Sequence, residues 1–237
     1  MNKLFKIKRE DVNWYDRFYK NEQTDFPSWY VFMLPELIKE IQENSSLLEL
    51  GCGQAKGLRY LVNNYYIKQK GVFGIDQSSE AIKFSKKSLP RANLEQGNIY
   101  SLKYKNNSFD FVIMMEVIEH LEKPLQAMKE AYRVLKPNGM LILSFPNFFN
   151  IPWLILRILS EKLNKPNWVV LQPIDKIYTT SYINKLSKQT GFKYKKIIGS
   201  TYFPPILYRY ENIIITKLLN KLRLNHLSFH PILFFKK

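Results

Sequence analysis

Apolar positions fall into two recurring patterns along the chain: short unbroken runs, and stripes at the helical period. Leu47 to Leu50 is a run broken only by Glu49. Leu58, Leu61, Val62 and Tyr65 follow at i, i+3, i+4 and i+7, the spacing of one helix face. Gly71 to Asp76 predicts a second strand, and Gln77-Ser78 the start of the next helix. Asn93 to Ile99 predicts a short third strand and its exit. The block Ser108 to Leu121 holds the longest apolar run, the mark of a strand buried on both faces at the centre of a parallel sheet. Leu125, Met128, Tyr132 and Leu135 predict a helix, Lys136 to Gly139 a turn, and Met140 to Phe145 a fifth strand. Tyr182, Ile183 and Leu186 predict a helix ending at Gly191, with Phe192 to Gly199 as a sixth strand. Ile206, Leu207, Tyr210, Ile213, Ile214 and Leu218 predict one more helix, and Phe229 to Phe235 the last strand. Pro231 is expected to confine that strand to an edge or a bulge. Strands alternating with helices make this an α/β chain.

Two amphipathic stretches precede the first strand. Trp14, Tyr15, Phe18 and Tyr19 share one helix face, and Leu34, Leu37, Ile38 and Ile41 predict a helix that Asn44-Ser45-Ser46 ends. The expected organisation is one domain over residues 1–237, with N-terminal cap helices in 1–44 and an apolar, basic insertion in 148–178. Hydrophobic residues make up 46% of the chain, enough for a real core. Cys52 is the only cysteine, which excludes an internal disulfide and fits a reducing compartment. Neither a signal-peptide pattern nor a run long enough to cross a membrane is present, so a cytoplasmic location is expected.

Charge changes this picture in one respect. Residues 149–237 carry 15 Lys/Arg against 3 Asp/Glu, whereas residues 1–148 carry 21 against 17. A solvated lysine-rich surface accounts for this as well as an anionic partner does: a phosphorylated substrate, nucleic acid or a membrane surface.

The chemistry concentrates at Glu49-Leu50-Gly51-Cys52-Gly53-Gln54-Ala55-Lys56-Gly57, between the first strand and the first helix after it. Glycines permit a tight turn and close approach of a ligand. Glu49 beside that turn repels a pyrophosphate but suits a ligand with positive charge and hydroxyls. Asp76, 25 residues beyond Gly51, sits at the tip of the second strand, where an acid accepts from both ribose hydroxyls.

With these residues the chain resembles the class I S-adenosylmethionine-dependent methyltransferases. The acid-x-Gly-x-Gly loop, the Ser108-to-Leu121 block and Arg133 to Asn147 carry the likeness, which covers roughly residues 12–147. Ala55 departs from it, standing where the family usually has a third glycine. The resemblance implies a Rossmann-like, seven-stranded, mostly parallel sheet with helices on both faces and an antiparallel last strand. It implies S-adenosylmethionine as cofactor, held by Glu49, Gly51, Cys52, Gly53, Asp76, Gln77, Asn98, Ile99 and Met115. Asn98 matches the position that binds the adenine amino group, and the N–H of Ile99 the one that meets the ring. It also implies an N-terminal segment folded over the cofactor and an acceptor pocket built from the insertion.

Methyl transfer from a sulfonium needs alignment and desolvation, and a hydroxyl acceptor needs a base. His120 is the candidate base, with Glu116 beside it; a histidine that merely packs is the alternative. Glu116-x-x-Glu119-His120 also has the spacing of a hard-cation site. It resembles the arrangement in ubiquinone-pathway O-methyltransferases and in small-RNA 2′-O-methyltransferases, which use magnesium there. Many relatives have the same letters without a known metal, so magnesium is not favoured. The expected function is methyl transfer to a small-molecule acceptor, more readily at oxygen than nitrogen, with a lipid-linked, phosphorylated or sugar-type precursor in view. Peripheral membrane contact by residues 148–163 competes with a plain lid. An RNA methyltransferase is the alternative that the charge asymmetry supports. A non-catalytic S-adenosylmethionine-binding protein is a third, against which Glu49, Gly51, Gly53, Asp76 and Asn98 argue together.

Overall fold

A computed structural model describes residues 11–21, 37, 39–64, 67–147, 150–163, 173–174, 176–202 and 213–237. Helix α1 spans Val12–Phe18 and precedes β1, Leu47–Leu50. The chain then alternates α2 (Lys56–Asn64), β2 (Val72–Asp76), α3 (Ser79–Ser88), β3 (Asn93–Gln96) and β4 (Phe109–Met115). It continues through α4 (Pro124–Val134), β5 (Leu135–Ser144), α5 (Ile151–Lys162), α6 (Thr180–Thr190), β6 (Lys193–Gly199), α7 (Ile213–Lys221) and β7 (Pro231–Lys236). Among the expected positions, Leu34, Ile38, Tyr65, Ile206, Leu207 and Tyr210 lie outside the described residues.

The strands form one seven-stranded sheet in the order β3-β2-β1-β4-β5-β7-β6. The pairs from β3 across to β5 are parallel, and β7 runs against both β5 and β6. This is the expected Rossmann-like architecture with an antiparallel last strand. Period-two alternation sorts the strand side chains onto two faces. On one face Val112, Met114, Leu141, Leu143, Leu233 and Phe235 pack with α4 and α6 through Met128, Val134 and Ile183. On the other, Ile113, Met115, Ile142 and Phe234 pack with α2 and α3 through Leu58, Leu61 and Ile82. Both faces of β4 are therefore buried, as its unbroken apolar run demands.

Two expectations are corrected. Leu135 does not close α4: the helix ends at Val134, and Leu135 already pairs with Phe109 before the register resumes at Phe111 with Met140. Pro231 does not mark an edge or bulge: β7 lies inside the sheet, with Pro231 at its first residue opposite Gly199. Proline lacks an N–H to give its partner strand. The Asn220 side chain takes up that role: its amide donates to the Gly199 carbonyl at 2.8 Å and accepts from the Gly199 N–H at 2.7 Å.

Helix α1 is docked by polar contacts. Asp11 caps its first turn, accepting from the Trp14 N–H. Asp16 accepts from the Ser78 hydroxyl at 2.6 Å and from the Glu80 N–H at 3.3 Å, placing a carboxylate at the start of α3, where the helix dipole favours one. Gln54 donates to the carbonyls of Asn21 and Tyr19, joining the end of α1 to the glycine loop.

Gly74 in β2 is fixed by packing. A Cβ there stands 2.7 Å from Leu94 Cδ2 and 2.9 Å from Cys52 Sγ. Gly74→Ala is expected to cost about 1–3 kcal/mol, the usual range for overpacking; urea unfolding measures it. Cys52→Ala in the same background recovers part of that loss if the sulfur is the obstruction. The α1 clamp is acid-sensitive. The Ser78 hydroxyl holds the Asp16 carboxyl below its ordinary value of 3.8. A depressed folded value means the bonds are present above the unfolded value and lost as pH falls through the folded one. The protection of the α1 amides, relative to their intrinsic exchange rate at each pH, is therefore expected to fall as the pH drops below 3.8, and Asp16→Ala to produce the same loss at neutral pH.

Candidate active site

The strand order reverses direction between β1 and β4, which is where open α/β sheets bind ligands, beyond the carboxyl ends of their strands. A cavity of about 510 Å³ opens there, within the range of small-molecule sites. Its floor is the turn after β1. Gly51 and Gly53 take left-handed conformations at φ +69° and +50°, and Ala55 follows at φ +55°. A Cβ on Gly51 stands 2.5 Å from Val117 Cγ2, so the loop after β1 and the loop after β4 touch only because this residue has no side chain. Ala55 fills its left-handed position with a buried methyl, a strain of about 1 kcal/mol that glycine avoids.

Asp76 organises the rim. One carboxylate oxygen accepts from the Gly53 N–H and the other from the Ser78 N–H, each at 2.8 Å. Burial pushes its carboxyl up, against the pull of those donors. Gln77 and then Gln96, Gly97, Asn98 and Ile99 continue the wall from β2 to the exit of β3. The Asn98 side-chain oxygen accepts from the Tyr100 N–H at 2.9 Å, closing a local turn; an amide oxygen has a second lone pair for a ligand. Val12, Tyr15 and Tyr19 roof the cavity from α1 and its end, and the Tyr19 hydroxyl lies over Gly53.

The far wall follows β4. Glu116 takes φ +53°, unusual for a residue with a side chain, and lines the cavity. Its carboxylate accepts from the Ser144 hydroxyl on β5 and faces His230 Nε2 at 3.2 Å. His120 lines the same wall, with both ring nitrogens turned to protein. Nδ1 donates to the Ile174 carbonyl at 2.6 Å, and Nε2 lies 3.3 Å from the Glu119 carboxylate.

Of the residues expected to hold cofactor, Gly51, Asp76, Gln77, Asn98 and Ile99 line the cavity. Glu49, Cys52, Gly53 and Met115 lie buried behind its wall. Burial drives the Cys52 thiol well above its ordinary range, keeping it protonated. Glu116 and Glu119 turn to different partners, and no group of three or more His, Cys, Asp or Glu in a metal-holding arrangement occurs among the described residues. The spacing Glu116-x-x-Glu119-His120 thus does not gather into one cation site. His230, near the C-terminus, matches no site position on sequence grounds, and the pairing of β7 with β5 brings it to Glu116.

Among its described lining residues the cavity carries two carboxylates, Asp76 and Glu116, and no lysine or arginine. That donor set disfavours a pyrophosphate and accommodates a cationic ligand with hydroxyls.

Residues 48–143 match the family described as "Methyltransferase domain". The chain is 32% identical over 101 residues to a "Probable S-adenosylmethionine-dependent methyltransferase" of Mycolicibacterium smegmatis, which covers 43% of this chain and 38% of that protein. It spans about half the length, or less, of the curated relatives it matches. Among solved structures, an S-adenosylmethionine-dependent methyltransferase of Thermotoga maritima superposes with a TM-score of 0.64 at 20% identity, covering 95% of both chains. A structure of the Haloferax volcanii Trm112 methyltransferase activator in complex with its partner gives a TM-score of 0.66 at 16% identity, covering 97% of this chain and 98% of that one. Likeness at these identities speaks for the fold. Residues 48–143 thus match a methyltransferase domain, and the chain has the fold of S-adenosylmethionine-dependent methyltransferases of solved structure.

Proposed function

We propose that the protein transfers a methyl group from S-adenosylmethionine to a hydroxyl of a small-molecule acceptor, with Glu116 as the group that receives the proton. The cavity's charge carries this reading: two carboxylates and no described lysine or arginine line a pocket at the switch point of the sheet. S-adenosylmethionine supplies a methyl group already activated on a sulfonium. Asp76 binds the ribose: each oxygen accepts one backbone N–H and keeps a further lone pair for a hydroxyl. Asn98 takes the adenine amino group on its side-chain oxygen. Glu49, Cys52, Gly53 and Met115 act from behind the wall, by shaping the loop and the end of β4.

Glu116 stands on the opposite wall, its carboxylate held by Ser144 and His230. A carboxylate so fixed loses little conformational freedom when it meets an acceptor hydroxyl. The hydroxyl oxygen takes the methyl as its bond to sulfur breaks, and the hydroxyl proton passes to Glu116, whose carboxylate His230 Nε2 faces. His120 has a positioning role: bonded to Ile174 and facing Glu119, it pins residues 173–174 to the cavity wall.

Asp76→Asn is expected to weaken S-adenosylmethionine binding by about tenfold or more, the worth of a charge-assisted hydrogen bond, with the fold retained by circular dichroism. Unchanged affinity in calorimetry excludes Asp76 from the ribose. Glu116→Gln is expected to leave that affinity intact while lowering methyl transfer by about 10²–10⁴-fold, the usual size of a general-base contribution. Methyl-labelled S-adenosylmethionine with a fractionated cell extract reads the transfer, and His230→Gln lowers it in the same direction. If Glu116→Gln removes cofactor binding instead, Glu116 holds the cofactor and is not the base.

A further inference from the structure

Helices α5 and α7 each present apolar residues to solvent in a helical stripe. On α5 these are Ile151, Ile155 and Leu159, at i, i+4 and i+8, with Ile151 64% exposed. On α7 they are Ile214 and Leu218, continued by Leu222, again four apart, with Ile214 74% exposed. Single exposed leucines are ordinary; two stripes of this length mark an interaction surface. The inward side of α7 is set by Thr216, which is fully buried.

The two stripes belong to one end of the molecule. The Asn150 amide, just before α5, donates to the carbonyls of Tyr202 and Leu227. Tyr202 in turn donates its hydroxyl to the Asn220 side chain on α7. Leu227, itself 41% exposed, thus lies beside the start of α5. The segment leading into α5 leaves the carboxyl end of β5, the same end from which Ser144 reaches Glu116.

Charge selects the partner. Lys162 on α5 is exposed within its stripe, and Lys217 and Lys221 flank the stripe on α7, followed by exposed Arg223. The two helices and the turn after α7 hold Arg157, Lys162, Lys217, Lys221 and Arg223 against one acid, Glu161. Apolar residues centred between lysines are the pattern of helices that lie in the plane of a membrane interface. No described helix is long and apolar enough to cross a bilayer.

We infer that α5 and α7 together dock the protein on an anionic lipid surface, with Ile155, Leu159, Leu218 and Leu222 entering the headgroup boundary and Lys162, Lys217 and Lys221 meeting the headgroups. The inference rests on the proposed methyl transfer only in naming where the acceptor lies, at or in that surface. The docking itself is separately measurable.

The test is co-sedimentation with vesicles of phosphatidylcholine, alone or mixed with phosphatidylglycerol, alongside calorimetry with S-adenosylmethionine. The protein is expected to pellet with the mixed vesicles and to stay in solution with phosphatidylcholine alone. Lys217→Gln and Lys221→Gln each reduce binding about fivefold at low salt. Ile155→Glu combined with Leu218→Glu abolishes it, while cofactor affinity in all variants matches the parent. These side chains are more than half exposed, so the fold tolerates the change, and circular dichroism verifies it. Failure to pellet with mixed vesicles overturns the proposal, as does equal binding to phosphatidylcholine alone. So does retention by RNA without vesicle binding, or a dimer in sedimentation velocity that Ile155→Glu dissociates. Loss of cofactor binding with docking intact strikes the methyl-transfer reading and leaves this one standing.

Discussion

The structure depends on a pair of hydrogen bonds to one carboxylate. Asp76 ends β2, and its two oxygens accept from Gly53, in the loop after β1, and from Ser78, the cap of α3. A buried carboxylate is tolerable only where donors surround it. These donors come from the two adjacent strand exits, so satisfying the charge also sets the shape of the cavity floor. The same N–H groups hold the acid in the position from which it faces the cavity. The loop therefore has little freedom to adopt another form while Asp76 is ionised.

Around that centre the wall is assembled from distant segments by side chains rather than by ladders. Asp16 joins α1 to the start of α3, Gln54 joins the end of α1 to the glycine loop, and His120 joins the turn after β4 to Ile174. Arg133 links α4 to the carbonyls of Leu102 and Tyr104 through its guanidinium, bracing the stretch between β3 and β4. Each link is polar, partly exposed and individually modest. Beneath them lie the two apolar layers, which carry most of the stability.

Much of this was legible in the sequence, for physical reasons that differ by element. Gly51 and Gly53 announced a tight turn, and the run Phe109 to Met115 announced a strand covered on both faces, because local backbone and burial requirements write themselves into consecutive letters. The placements that failed depend on what lies opposite. Leu135 fits the helical stripe but is claimed by pairing with Phe109. Pro231 reads as an edge residue because the amide that completes its partner comes from Asn220 on another helix. His230 carries no signal at all until the antiparallel return of β7 sets it against Glu116. The exposed stripes on α5 and α7 look like core-facing periodicity, since spacing alone gives a face without saying what covers it.

The meeting of Pro231, Gly199 and Asn220 has a consequence for how the sheet closes. Backbone ladders are interchangeable from one residue to the next, so a late-pairing strand has little beyond its side-chain pattern to stop it sliding. Here one rung has been replaced by a lock and key: a ring that offers no proton faces a carbonyl whose donor arrives from the side chain of Asn220. A slipped alignment sets another residue's N–H against a carbonyl that Asn220 already occupies. The end of the sheet nearest Glu116 thereby acts as a zip stop, and it fixes the position of His230, one residue before Pro231, to a single notch.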